Sequence, residues 1–224
     1  LLQHHHNKEN GATGMKHANP QGKGQVTVLS DWAGAQPRAV TEKSPRALLA
    51  DYFISLLVLS ADFGFQPRPG VNYHLYRSGQ RWQLSLVSPD EWGDKAPGMF
   101  LGECNLLNDM TWRLDLRRDL AAEPALMDSL RQLHEAFIEQ LGEADFLEET
   151  LPFYAAELPY YRRLLAAGLA SSLSKSMALA GLDKARGRQW LGKLLTADPE
   201  DESARDRPNR EYSAGPGLTF FPSS

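Results

Sequence analysis

The chain has 224 residues, a formal net charge of −4 and a hydrophobic fraction of 42%, which fits one globular domain with a sizeable core. The basic pairs Arg117-Arg118 and Arg162-Arg163 each sit near acids, so no basic stripe marks a nucleic-acid surface, and none is expected to bind. Cys104 is the single cysteine; an intrachain disulfide and a cysteine-built zinc site are excluded, and a reducing compartment fits.

The most apolar run, Tyr52 to Ala61, is about half of the roughly 20 residues a bilayer span needs. No basic-then-apolar-then-small leader is present, so the expected setting is the cytoplasm, without membrane contact. Residues 1–14 hold His4-His5-His6 and little else of character, and Met15 follows as a credible initiator; the piece is read as non-native. From residue 16 to 43 small and polar side chains dominate, and residues 1–43 are expected to be disordered. Trp32 and Val26 to Leu29 could dock as a short arm. Gly22-Lys23-Gly24 lacks the spacing of a phosphate loop.

A single α+β domain is expected over residues 44–197. Ser44 caps and Pro45 opens a helix whose apolar residues, Leu49, Tyr52, Phe53, Leu56 and Leu59 with Ile54, Leu57 and Val58, run almost all round it. A helix that apolar is a buried one. Val71, Tyr73 and Leu75 then alternate with Asn72, His74 and Tyr76, and Ser78-Gly79 turns into Trp82, Leu84 and Leu86 alternating with Gln83 and Ser85. Met99 to Leu107 and Met110 to Leu116 form a second pair about the Asn108-Asp109 turn. The short connections give a small antiparallel β-meander of about four strands packed on the N-terminal helix.

A helical C-terminal half follows. Pro124 opens an amphipathic helix through Leu126, Leu130, Leu133, Phe137 and Leu141, stopped at Gly142. A second helix, about 158–180, carries Tyr161, Leu165, Leu169, Leu173 and Met177 on one face. Its other face is small (Ala166, Ala167, Gly168, Ala170, Ser171), which requires another helix to cross there, from Leu126 to Leu141 or from a second copy. Trp190, Leu191, Leu194 and Leu195 predict a short last helix. Residues 198–224 are charged and Pro-rich, an expected disordered tail apart from the cluster Leu218-Thr219-Phe220-Phe221.

The strings Tyr73-His74-Leu75-Tyr76, Ser78-Gly79-Gln80, Ser88-Pro89-Asp90-Glu91-Trp92-Gly93, Phe100-Leu101-Gly102 and Asp109-Met110-Thr111-Trp112 stand in a fixed order over about fifty residues. In that order they resemble the uncharacterised family known as domain of unknown function 2452 (DUF2452). Asn19-Pro20-Gln21-Gly22 and the helical second half resemble its bacterial branch. The resemblance implies no activity.

Physical chemistry explains most of these residues. Ser88-x-x-Glu91 is a capping box with Pro89 at the first helical position; the functional alternative makes Glu91 a general acid or base desolvated by Trp92. Asp109 is turn chemistry or, alternatively, a catalytic carboxylate. Tyr73, Tyr76, Trp82 and Trp112 are aromatics at strand spacing, which are more often core than platform. By alternation His74 and Tyr76 lie opposite Tyr73 and Leu75, so they are expected to be exposed beside Gln83 and Ser85 as a binding surface. His134-Glu135 lacks the second histidine of a zinc protease, since Ile138 stands there. The reading is a non-catalytic binding or adaptor module for an unknown protein partner or small ligand, with Tyr73, His74, Tyr76, Glu91, Trp92, Asp109 and Trp112 as candidate binding residues. No cofactor or metal is assigned. The alternatives are a hydrolase using His74, Glu91 or Asp109 in a sheet–helix cleft, and a structural homo-oligomer.

Overall fold

A computed structural model describes residues 21–145, 158–182 and 189. In chain order the elements are α1 (Gln21–Gly34), α2 (Pro45–Ser60), β1 (Asn72–Ser78), β2 (Arg81–Ser85), the one-turn α3 (Pro89–Trp92), β3 (Met99–Leu106), β4 (Trp112–Leu116), α4 (Pro124–Glu143) and α5 (Tyr160–Leu179). The fold is α+β, with one four-stranded sheet in the order β2-β1-β3-β4 and every pairing antiparallel. Two hairpins therefore join through β1 and β3, an order that linear alternation does not specify. Residues 1–14, the helix expected around Trp190 to Leu195 and the tail 198–224 lie outside the described residues.

The Ser44 hydroxyl accepts the Ala47 amide at 3.2 Å and so starts α2, as the Ser-Pro signal predicts. Eight of its residues are buried: Leu48, Leu49, Tyr52, Phe53, Ser55, Leu57, Val58 and Leu59. They point round the whole helix, so α2 needs walls on all sides. The sheet supplies one, where the Ser55 hydroxyl accepts the Trp112 amide at 3.0 Å. A second is α5. The third is α4, whose Phe137 ring stands 5.3 Å from Tyr52 and 5.6 Å from Phe53.

The N-terminal stretch departs from expectation. Gln21–Gly34 is helical, and what docks is not Trp32 with Val28 and Leu29, which are 50%, 52% and 66% exposed. Ala35 and Pro37 are buried instead, and the Arg38 amide donates to the Asn108 carbonyl at 2.8 Å. The extended segment 35–43 crosses the β3–β4 turn and forms part of the domain wall.

At Gly168 the small face of α5 is met within the chain. A Cβ on Gly168 would collide with the Ala35 carbonyl oxygen and stand 3.1 Å from the Met110 Cε. At this position the residue after α1 and the β3–β4 turn stand where a crossing helix was expected. Tyr161, expected on the buried stripe, is 37% exposed, while Leu165, Leu169, Leu173 and Met177 are buried.

Gly168→Ala should therefore destabilise the protein by about 1–3 kcal/mol, because backbone yields less readily than a side-chain tip. Equilibrium urea unfolding checks this. Unchanged stability would show that the Ala35 segment moves aside freely.

Candidate functional site

The sequence candidates fall into three separate places. Tyr73 and Trp112 belong to the inner face of the sheet, with rings 5.7 Å apart and almost no exposure, 2% and 1%. The Tyr73 hydroxyl accepts the Arg68 amide at 2.8 Å, and burial raises its pKa. These two are core.

His74, Tyr76 and Glu91 gather at the outer face, with Trp92 next to Glu91 on α3, but the expected exposure of His74 and Tyr76 is absent. Both are buried, because the chain after β2 folds back over them and Phe100 packs 6.0 Å from His74 and 5.6 Å from Tyr76. The Tyr76 hydroxyl donates to the Val87 carbonyl at 2.9 Å. Burial, and then the Glu91 charge, push its pKa up to about 12. Ser85 is buried as well, and Gln83 is half-buried. Register aligns Ser85, His74, Glu103 and Asp115 in one row across the four strands. The His74 Nδ1 has no hydrogen-bond partner among the described residues.

Glu91 completes the expected capping box. Its carboxylate accepts the Ser88 amide and the Ser88 hydroxyl, each at 2.9 Å, while the Ser88 hydroxyl oxygen accepts the Glu91 amide at 3.4 Å. These bonds from Ser88 lower the Glu91 pKa, with a smaller contribution from nearby His74. That is the opposite of what a general acid needs. Gly93 leaves the turn at φ +52°, a conformation open to glycine at little cost.

Asp109 lies apart from both groups, at the β3–β4 turn. One carboxylate oxygen accepts the Thr111 amide at 3.1 Å and the Thr111 hydroxyl at 2.6 Å. The other pairs with the Lys43 ammonium at 2.8 Å, and Lys43 also reaches Asp51 of α2 at 2.6 Å. Burial works to raise the Asp109 pKa, but Lys43 and the Thr111 bonds outweigh it and hold the carboxyl below its ordinary value. Lys43 mirrors this: burial works to lower its pKa, and the two aspartates more than offset it. The cluster ties the 35–43 segment, α2 and the turn together. Met110 follows at φ +68°, where glycine or asparagine is usual, and its side chain is buried against α5.

A fourth place holds an open cleft of about 570 Å³ beside β2. Its walls are Asp62 to Phe65, the β2 residues Gln83 to Ser85 with Leu86 just beyond them, and Arg162 from the first turn of α5. The Arg162 guanidinium lies 5.1 Å over the Phe63 ring and donates to Asp62 at 2.8 Å. Its side chain is only 14% exposed, and Nε has no hydrogen-bond partner among the described residues. Leu86, expected on the inward face of the strand, is 53% exposed, because β2 ends at Ser85 and the chain bends. The sequence reading singled out neither Phe63 nor Phe65, and it dismissed Arg162 as one of a balanced basic pair. The spacing Phe63-Gly64-Phe65 after an apolar helix was the available signal.

Residues 36–134 match the family described as Protein of unknown function (DUF2452). The resemblance carried by the Tyr73 to Trp112 motifs is borne out over this segment. The DUF2452 segment contains the docking stretch after α1, all of α2, the sheet and the first half of α4; Arg162 lies beyond it. No solved structure matches the chain. No group of three or more metal-ligating side chains occurs among the described residues, and no described helix is long and apolar enough to cross a membrane.

Two outcomes follow from the geometry of the DUF2452 segment. Ser88→Ala should cost about 0.5–2 kcal/mol by loss of the cap, read as a lower melting temperature. Lys43→Met should cost about 3 kcal/mol at neutral pH, since it strands Asp109 in a largely buried site. In the wild type the depressed Asp109 pKa adds stability above the unfolded value of about 3.9, lost as pH falls through the folded value. In Lys43→Met only the Thr111 bonds still oppose burial, so the Asp109 pKa rises above its wild-type value and the variant's deficit should shrink as the pH falls and Asp109 takes up a proton. Urea unfolding at pH 7 and pH 4 measures it, and a deficit independent of pH would refute the role of Asp109.

Proposed function

We propose that the chain is a protein-binding module whose partner engages the cleft between β2 and α5. The observation that carries this reading is Arg162, a cation held over Phe63 at the wall of an open cleft and bonded through one arm to Asp62. Around it lie Phe63, Phe65 and an exposed leucine, the mixture of aromatic, apolar and arginine groups from which interaction surfaces draw their affinity. The cleft is open, whereas small-molecule sites enclose most of their ligand; that favours a protein partner over a small ligand.

A hydrolytic reading has less support. It draws on His74, Glu91 and Asp109, and Asp109 is engaged by Lys43 and Thr111 while Glu91 is engaged by Ser88. A homo-oligomer built on the small face of α5 has less support too, because Gly168 is met by Ala35 and Met110 of its own chain. The cytoplasm suits the single cysteine, Cys104, which is fully buried with its thiol pKa pushed up by burial.

Quantitative affinity capture tests the reading. Leu86→Asp changes an exposed residue and should alter stability by roughly 0.5 kcal/mol or less. It should reduce recovery of a captured partner at least tenfold, while Glu91→Gln on the outer face leaves recovery unchanged. Equal recovery with Leu86→Asp and wild type would count decisively against the cleft.

A further inference from the structure

The cleft has a strand edge for one wall. Asp62 sits on that edge as a single parallel bridge: its amide donates to the Trp82 carbonyl at 2.8 Å and its carbonyl accepts the Leu84 amide at 3.0 Å. Beyond Asp62 the chain turns away through Phe63 to Phe65. Because the N–H and C=O of alternate residues point to the same side of a strand, the Leu84 carbonyl and the Leu86 amide follow on the side that Asp62 occupies. Leu84 and Leu86 both line the cleft. Natural sheets usually blunt such an edge; here one residue covers it and an exposed leucine stands at its end.

We propose that the occupant is an extended peptide segment bearing a carboxylate, which continues along β2 the pairing that Asp62 begins and seats its carboxylate on Arg162. The proposal rests on the cleft being the protein-binding face, and it names the class of partner. Main-chain bonds to Leu84 and Leu86 supply affinity, and alternate peptide side chains meet Leu86 on one side and the Phe63–Phe65 wall on the other. Charge complementarity selects the acid. The guanidinium is planar, pre-positioned over Phe63 and, among the described residues, hydrogen-bonded through Asp62 alone, so its other donors suit a second carboxylate. Asp62 competes for the same cation, which sets the sign of one test. The carboxylate can come from an acidic side chain or from a chain terminus.

Two display libraries of random decapeptides, one ending in a free carboxylate and one fused at both ends, are panned against the full chain. Enrichment of β-branched, carboxylate-bearing sequences is expected. Enrichment in the free-ended library alone assigns the carboxylate to a C terminus; enrichment in both, with Asp or Glu at a fixed position, assigns it to a side chain. A fluorescein-labelled copy of an enriched peptide should lose at least tenfold in affinity when its carboxylate becomes an amide. Arg162→Gln should remove that discrimination and Arg162→Lys should keep part of it. Asp62→Asn, which retains the main-chain bridge, should tighten binding threefold or more, a gain that a purely structural role for Asp62 would not produce. No enrichment from either library overturns the proposal, as does a peptide indifferent to amidation, to Arg162→Gln and to Asp62→Asn. If the libraries fail while Leu86→Asp still releases a captured partner, the cleft binds a folded surface and only this inference falls. If peptides bind but ignore Leu86→Asp, the cleft itself is misplaced.

Discussion

A helix apolar on every side has to be enclosed on every side, and α2 sets that condition for the rest of the chain. Each buried leucine or phenylalanine on it contributes about 1.5–3 kcal/mol only if water is kept away. The sheet walls one side, α4 another and α5 a third. The 35–43 segment comes in beneath, fastened by Lys43 to Asp51 on α2 itself. The sheet's inner face is shaped to the same requirement, with Tyr73, Leu75, Leu101, Cys104 and Trp112 all buried.

Enclosing α2 consumes polar groups as well as apolar ones. Ser55 is spent on the Trp112 amide, Asp109 on its own turn and on Lys43, and Tyr73 on the Arg68 amide. Buried polar atoms must be partnered or they destabilise by about 1–3 kcal/mol each, so these side chains are held by the fold rather than offered to a substrate. The cleft beside β2 is different in kind. It lies where the walls meet imperfectly, at the end of the edge strand, and among the described residues its cation is anchored by a single ion pair.

Local signals were legible where chemistry and spacing coincide. Ser44-Pro45 marks the start of α2, Ser78-Gly79 the first hairpin turn, and Ser88-Pro89-x-Glu91 the capping box; all are local, so no knowledge of the partner surface is needed. Alternation predicted the strands but misjudged exposure. His74 and Tyr76 do point away from Tyr73, yet the backward fold of residues 86–92 and the Phe100 ring cover them, a tertiary event invisible to period-two reasoning. Lys43 was assigned to a disordered segment because composition averages over neighbours, while its position depends on two aspartates 8 and 66 residues away. Arg162 and Asp62 are 100 residues apart, and no linear pattern joins them. The small face of α5 correctly signalled close backbone approach, and what lay beyond reach was that Ala35 is the backbone that meets Gly168.

The central claim is that α2 is the shared interior on which all the other elements depend, with the β2 edge as a locally open region. Native-state amide hydrogen exchange tests it directly, because it measures the opening free energy residue by residue. Amides from Leu49 to Leu59 should exchange only through global unfolding, in step with β1 and β3, while the Leu86 amide exchanges through small local fluctuations. Exchange of the α2 amides at a free energy well below that of global unfolding, with the sheet still protected, would contradict the account.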